Sequence, residues 1–320
     1  MTNHISDSND HEHNDNSTEF NLRPDSTRKG TTPGGGKVTG KSPHIIKTKG
    51  NELDSILEKC LDTNPDHWPI LLCLLGNFRL LMKGESLSLY SKGKAEALLS
   101  YLGLHHGRRV SREQLITYLW PTSKLTQARR SLNNLTYSVN KHLRDAVDDF
   151  ILVVYEAGFY RLNLEAGLKL DIVCFDTFFS MGNQAARTGD AETAADYFLR
   201  AEQLYRGELC IDSDVNAILE RERLRNCYSI LLSRLATFHY QANDQATCLK
   251  YAWKLLALDP CREDAHRLIM RAYVKNGQRA IALRHYQVCV DVLKVEFNAP
   301  PETATTALFD QIRLQPDLLD

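Results

Sequence analysis

Apolar positions become ordered at Ile70. From there to Tyr90 the chain reads ILLCLLGNFRLLMKGESLSLY, short apolar runs broken at Gly76-Asn77 and at Lys83-Gly84-Glu85. That pattern predicts strands joined by turns. From Lys94 to Leu104 the period becomes helical, with Ala97, Leu98, Tyr101 and Leu102 recurring at helical spacing, and Gly107 interrupts it. Ser111, with Gln114 three residues on, has the form of a capping box. The helix it opens has Leu115, Ile116 and Leu119 apolar, and Trp120-Pro121 stops it.

A third helix is predicted from about Leu125 to Ala146. At 100° per residue, Leu125, Ala128, Leu132, Leu135, Val139, Leu143 and Ala146 fall within roughly one quadrant. Arg129, Arg130, Asn133, Asn134, Tyr137, Asn140, Lys141 and Arg144 fill the opposite face. The apolar stripe must dock on other helices. The opposite face offers guanidinium, amide, phenol and ammonium groups together, and no carboxylate from Lys124 to Arg144. A plain solvated face usually mixes signs. Arg suits guanine edges, Asn suits adenine edges, and all of these groups can hold phosphates. Next comes FILVVYEAGFYRLNL (150–164), two apolar runs around Glu156-Ala157-Gly158, which predicts a hairpin. Strands, three helices and a terminal hairpin make a winged helix-turn-helix, with Leu125–Ala146 as its recognition helix.

Residues 171–315 read almost entirely as helices. Asn243 and Gly277 lie 34 residues apart, the period of tetratricopeptide repeats. ATCLKYAWKLLALDP (246–260) and RAIALRHYQVCVDVL (279–293) align as second helices of two repeats. GDAETAADYFLRAEQLYRG (189–207) aligns as an earlier one, 54 residues upstream, and a loop plus a lengthened helix around 208–225 accounts for the excess. The fold class expected is mainly α: a winged helix with small β-sheets, then an all-α tetratricopeptide-like repeat domain. The boundaries expected are a disordered tail at 1–50, a linker helix at 51–66, the winged helix at 67–166 and the repeats at 167–320.

Charge sharpens this division. Residues 1–67 carry 8 basic and 11 acidic side chains, residues 68–165 carry 13 and 8, and residues 166–320 carry 18 and 21. The middle segment is a basic island in an acidic chain. From 105 to 144 eight basic residues face only Glu113, a footprint of nucleic-acid binding. The first fifty residues hold one aromatic, Phe20, and too little apolar surface to offset chain entropy. Within them GGKVTGKS (35–42) matches a phosphate-loop pattern. Residues 28–34, RKGTTPG, make no strand before it, and Pro43 biases Ser42 away from helix, so it reads as a flexible basic linker.

The eight cysteines are scattered, no two closer than thirteen residues, which excludes a closely paired zinc site and reads as inert thiols. No unbroken apolar run exceeds six residues, so no membrane span is expected, and the N-terminus lacks a secretory pattern. A cytoplasmic protein is the expectation. Catalytic signatures for hydrolases, zinc proteases, dinucleotide enzymes and kinases are missing. The Asp148-Asp149 pair reads as a helix terminus, and His105-His106 as a solvated loop. No enzymatic activity, cofactor or metal is expected.

The stretches LLGNFRL (74–80), KAEALLSYL (94–102), VSREQLITYLWP (110–121), ARRSLNNLTYSVNKHL (128–143) and GFYRLNL (158–164) resemble the DNA-binding domain of the SARP family of bacterial pathway activators. DIVCFDTFFSMGNQAARTGDAETAADYFLRAEQLYRG (171–207), ALDPCREDAHRLIMRAYVKNGQRAIALRHYQ (257–287) and VEFNAPPETATTALFDQI (295–312) resemble the bacterial transcriptional activator domain that follows it in that family. The resemblance implies an activator that binds double-stranded promoter DNA through the winged helix. It implies that the repeats contact RNA polymerase or a second protomer, as a homodimer on repeated sites. It places Lys94 at a phosphate-contacting position, and Arg129, Arg130, Asn133, Tyr137 and Lys141 on the exposed recognition face. The wing departs from the family pattern, with Tyr155-Glu156-Ala157 where a basic residue usually stands, and an acid there repels phosphate. The stretch after Gly207 is shorter than usual and lacks the family's Pro/Trp-rich loop. The alternative is a repeat scaffold whose winged helix no longer binds DNA.

Overall fold

A computed structural model describes residues 70–89, 92–146, 150–211 and 214–315. The tail, the linker helix, the GGKVTGKS segment and the Asp148-Asp149 pair lie outside the described residues. Strand β1 (Ile70–Cys73) is buried along its whole length. It pairs antiparallel with β2 (Arg79–Met82) and parallel with β7 (Leu168–Leu170), while β3 (Glu85–Ser86) extends β2. A continuous apolar run suits a strand covered on both faces, which is why ILLC does not alternate. Lys83 and Gly84, at φ 49° and 83°, make the tight turn between β2 and β3.

Helices α1 (Lys92–Leu104), α2 (Arg112–Leu119) and α3 (Leu125–Ala146) follow. A second sheet, ordered β4-β6-β5, consists of β4 (Val110–Ser111), β5 (Val153–Glu156) and β6 (Phe159–Leu162). The capping box at Ser111 forms as expected: Gln114 N–H donates to Ser111 Oγ at 3.2 Å and Ser111 N–H to Gln114 Oε1 at 2.8 Å. Leu98, Leu99, Leu102, Leu115, Leu119, Leu132, Val139 and Leu143 are all buried, so the three helices share one core. Leu125, assigned to the apolar stripe, is instead 49% exposed in the first turn of α3.

The repeats are three helix pairs with a closing helix. They are α4 (Asp171–Arg187) with α5 (Ala191–Leu204), α6 (Val215–Gln241) with α7 (Gln245–Leu258), and α8 (Glu263–Lys275) with α9 (Arg279–Phe297). Helix α10 (Thr303–Leu314) closes the array. Each pair turns at one left-handed residue, Gly189, Asn243 and Gly277, at φ 83°, 59° and 71°. The 34-residue spacing read from the sequence is therefore the spacing of these turns. The earlier gap is longer because α6 runs for 27 residues. Gly182 is needed where α4 crosses α5, since a Cβ there would lie 2.6 Å from the Phe198 ring.

Two buried histidines join α8 to α9. His266 Nε2–H donates to the Pro260 carbonyl at 2.9 Å, which leaves His266 Nδ1 to accept from His285 Nε2–H at 3.0 Å. Burial, then the neighbouring His266, pushes His285 down to about 4, and burial also lowers His266.

Candidate nucleic-acid interface

Helix α2, the turn at 120–124 and helix α3 form the helix-turn-helix. The turn is held by Trp120 N–H to Ile116 O at 2.8 Å and Ser123 N–H to Trp120 O at 3.2 Å. Lys94, at the start of α1, donates its ammonium to the Leu119 carbonyl and sits 5.8 Å from the Trp120 ring centroid. A cation at the carbonyl end of α2 completes that helix's C-terminus. Lys94 remains exposed and so keeps donors for solvent or a phosphate.

The buried stripe of α3 turns its other side outward. Arg129, Arg130, Asn133, Asn134, Tyr137, Lys141 and Arg144 are all exposed, Tyr137 at 67%. Arg130, Asn134, Tyr137, Lys141 and Arg144 have no side-chain partner among the described residues. Arg129 meets Glu113 of α2 at 3.5 Å, with both side chains largely exposed, a pair worth at most about 1 kcal/mol and readily exchanged for a phosphate. Asn133 Oδ1 accepts a long bond, 3.4 Å, from the Tyr160 hydroxyl, and its amide N–H₂ stays open. Thr126, four residues before Arg130 on the same exposed face, also belongs to this surface. Helical spacing could have found it.

Asn140 is a correction. Its Nδ2 donates to Val153 O at 2.8 Å, and its Oδ1 accepts from Leu152 N–H at 3.1 Å and Val153 N–H at 2.9 Å. The side chain is half-buried and clamps α3 to the root of the hairpin. It lies at the margin of the polar face, where a helical wheel cannot tell an outward amide from one turned onto a neighbouring strand.

The hairpin is held to α2 by residues not singled out in the sequence. The Arg112 guanidinium lies 4.6 Å over the Tyr155 ring, and its charge also acts on the neighbouring Tyr160 phenol. Burial pushes the Tyr160 phenol above its ordinary range, so it stays a donor to Asn133. The tip carries Ala157 and Gly158 at φ 50° and 91°. Glu156 is exposed there, so the acid expected at the wing does face solvent. His105 and His106 turn back onto α1, with Nδ1 atoms 2.9 Å from Tyr101 O and 3.0 Å from Gly103 O. Among the described residues no helix is long and apolar enough to cross a membrane, and no group of three or more His, Cys, Asp or Glu could hold a metal ion.

A winged helix carrying an open cationic and amide face, joined to paired-helix repeats, defines a class: transcription regulators. Residues 170–313 match the bacterial transcriptional activator domain. Regulatory protein AfsR of Streptomyces coelicolor is 29% identical over 245 residues, which are 76% of this chain but 24% of AfsR. Transcriptional regulatory protein MoaR1 of Mycobacterium tuberculosis is 25% identical over 245 residues, 76% of this chain and 78% of MoaR1. The fold is shared with the structure of Mycobacterium tuberculosis EmbR in complex with a low affinity phosphopeptide, at a TM-score of 0.62 and 21% identity, covering 77% of this chain and 65% of that one. Residues 170–313 thus carry the bacterial transcriptional activator domain, and the chain is similar to bacterial transcription regulators.

Proposed function

We propose that the chain binds promoter DNA in a sequence-specific manner through α3 and activates transcription. In this reading residues 67–166 read the DNA, and residues 167–320 contact RNA polymerase or a second protomer on a repeated site. The observation that carries the reading is the face of α3. Five of its polar side chains are exposed and have no side-chain partner among the described residues, and no carboxylate lies on the helix from 124 to 144. Leaving such a surface unneutralised is what a phosphate-binding face requires. Arg130 and Asn133 stand in the first half of the helix, which lies deepest in the major groove when helix-turn-helix units dock. Lys94, Arg129, Lys141 and Arg144 are assigned to phosphates. The exposed Glu156 at the wing tip favours a second reading, a scaffold that uses this surface for protein contacts. Genome-wide occupancy of the tagged protein separates the two: a shared motif at promoters supports DNA reading, and occupancy without a motif supports the scaffold.

A further inference from the structure

The segment Leu74–Gly76 sits where β1 leaves the winged helix. Every backbone bond it makes here goes to the activator domain. Leu74 N–H donates to both carboxylate oxygens of Asp171 at 2.8 Å, and Leu75 N–H to Asp171 Oδ2 at 2.8 Å. Asp171 is the first residue of α4 and is 1% exposed. On the other side, Cys210 N–H donates to Leu74 O at 2.9 Å and Gly76 N–H to Glu208 O at 2.8 Å, with Leu75 bridged to Leu209.

The backbones also touch. Gly76 and Gly207 are close enough that a Cβ on Gly207 would lie 3.1 Å from Gly76 Cα, and one on Gly76 would lie 3.2 Å from the Arg206 carbonyl. Arg221 of α6 donates to the carbonyls of Leu209 and Ile211, which ties this loop to the second repeat. On the winged-helix side α1 packs against β1 so closely that a Cβ on Gly103 would lie 2.8 Å from a Leu74 methyl. The path α1, β1, Asp171, α4 and the path β1, 208–211, α6 thus join the two halves at two places.

A buried carboxylate is costly unless hydrogen-bonded, and here its acceptors are spent on amides 96 and 97 residues away in sequence. A helix N-cap or first-turn acid ordinarily serves its own helix. We propose that Asp171 is a positioning residue that locks the winged helix and the repeats into one rigid body, which opens only by global unfolding. On the DNA-reading proposal above, that rigidity fixes where the repeats lie along the DNA. The lock itself does not depend on DNA, so it can fail while that proposal stands.

The test is thermal unfolding and amide exchange of the full chain, without DNA. The wild type should unfold in one transition across 70–315, with the Leu74 and Leu75 amides as slow to exchange as the core of α6. Asp171→Ala should split the transition in two and speed exchange at Leu74 and Leu75 at least 100-fold, with Asp171→Asn intermediate because it keeps one acceptor. Gly207→Ala presses on the same seam from the repeat side without touching Asp171, and should also split the transition if Asp171→Ala does not fold. Two transitions in the wild type overturn the proposal. So does a single transition retained in a folded Asp171→Ala, or, where that variant does not fold, one retained in Gly207→Ala.

Discussion

Replacing Asn140 by alanine separates what the structure assigns to this residue from what its place on the helix suggests. The substitution removes three hydrogen bonds, one to Val153 O and two from the amides of Leu152 and Val153. Leu152 and Val153 are buried, so the orphaned groups meet little water. An unsatisfied buried donor or acceptor costs about 1–3 kcal/mol. Asn140 itself is half-buried, which lets solvent reach part of the gap, so a total of about 2–4 kcal/mol is expected rather than three full penalties. That is a large share of the roughly 5–15 kcal/mol typical of a folded domain. The assay is denaturant unfolding paired with selection from a randomised duplex library. The midpoint should fall with an unchanged slope, and the base preference of the folded protein should stay that of the wild type. Unchanged stability, within about 0.5 kcal/mol, together with an altered preference at one base position would show that Asn140 reads DNA after all.

Ala157 holds φ 50° at the hairpin tip, a conformation costing an L-residue about 1–2 kcal/mol, so Ala157→Gly or Ala157→Asn should raise stability by about 0.5–1 kcal/mol; a lower melting temperature in both contradicts this. His285 is depressed to about 4 from 6.5 by burial, so its contribution is fully present above pH 6.5 and lost as pH falls through about 4. Up to roughly 3 kcal/mol should disappear across that window, and His285→Gln should flatten the stability–pH curve there; an unchanged acid slope refutes the assignment. Lys141→Ala should weaken binding to all duplexes alike and reduce the slope of log affinity against log salt by about 1, whereas an unchanged slope removes Lys141 from the phosphate contacts.

The elements governed by local periodicity were legible in the sequence. The bounds of α3, the stop at Trp120-Pro121 and the capping box follow from apolar spacing and side-chain chemistry within a few residues of each other. The turns at Gly189, Asn243 and Gly277 were legible for the same reason, since each pair of helices reverses at a residue tolerant of positive φ. Strand β7 was not legible. Leu168-Lys169-Leu170 is too short to carry a period, and its partner Ile70–Leu72 lies 98 residues earlier. Asp171 was not legible either, because nothing local shows that its carboxylate turns to Leu74 and Leu75. Of the recognition face, the exposed cations and amides followed from the helical wheel. Asn140 and Lys94 did not, because their partners, Val153 and Leu119, become neighbours only when the hairpin and α2 fold against them.

In the proposed docking the first half of α3 reads bases and its later part holds phosphates. Lys141 lies eleven residues beyond Arg130, about 16 Å along the helix, too far to share the same groove floor. Selection from a randomised duplex library, run on the wild type, Arg130→Ala, Asn133→Ala and Lys141→Ala, tests this directly. The wild type should enrich a defined motif. Arg130→Ala and Asn133→Ala should each relax one or two base positions, by about 1–3 kcal/mol of discrimination. Lys141→Ala should bind more weakly with the motif intact. No enriched motif for the wild type, or a motif altered by Lys141→Ala and unaltered by Asn133→Ala, would rule this docking out.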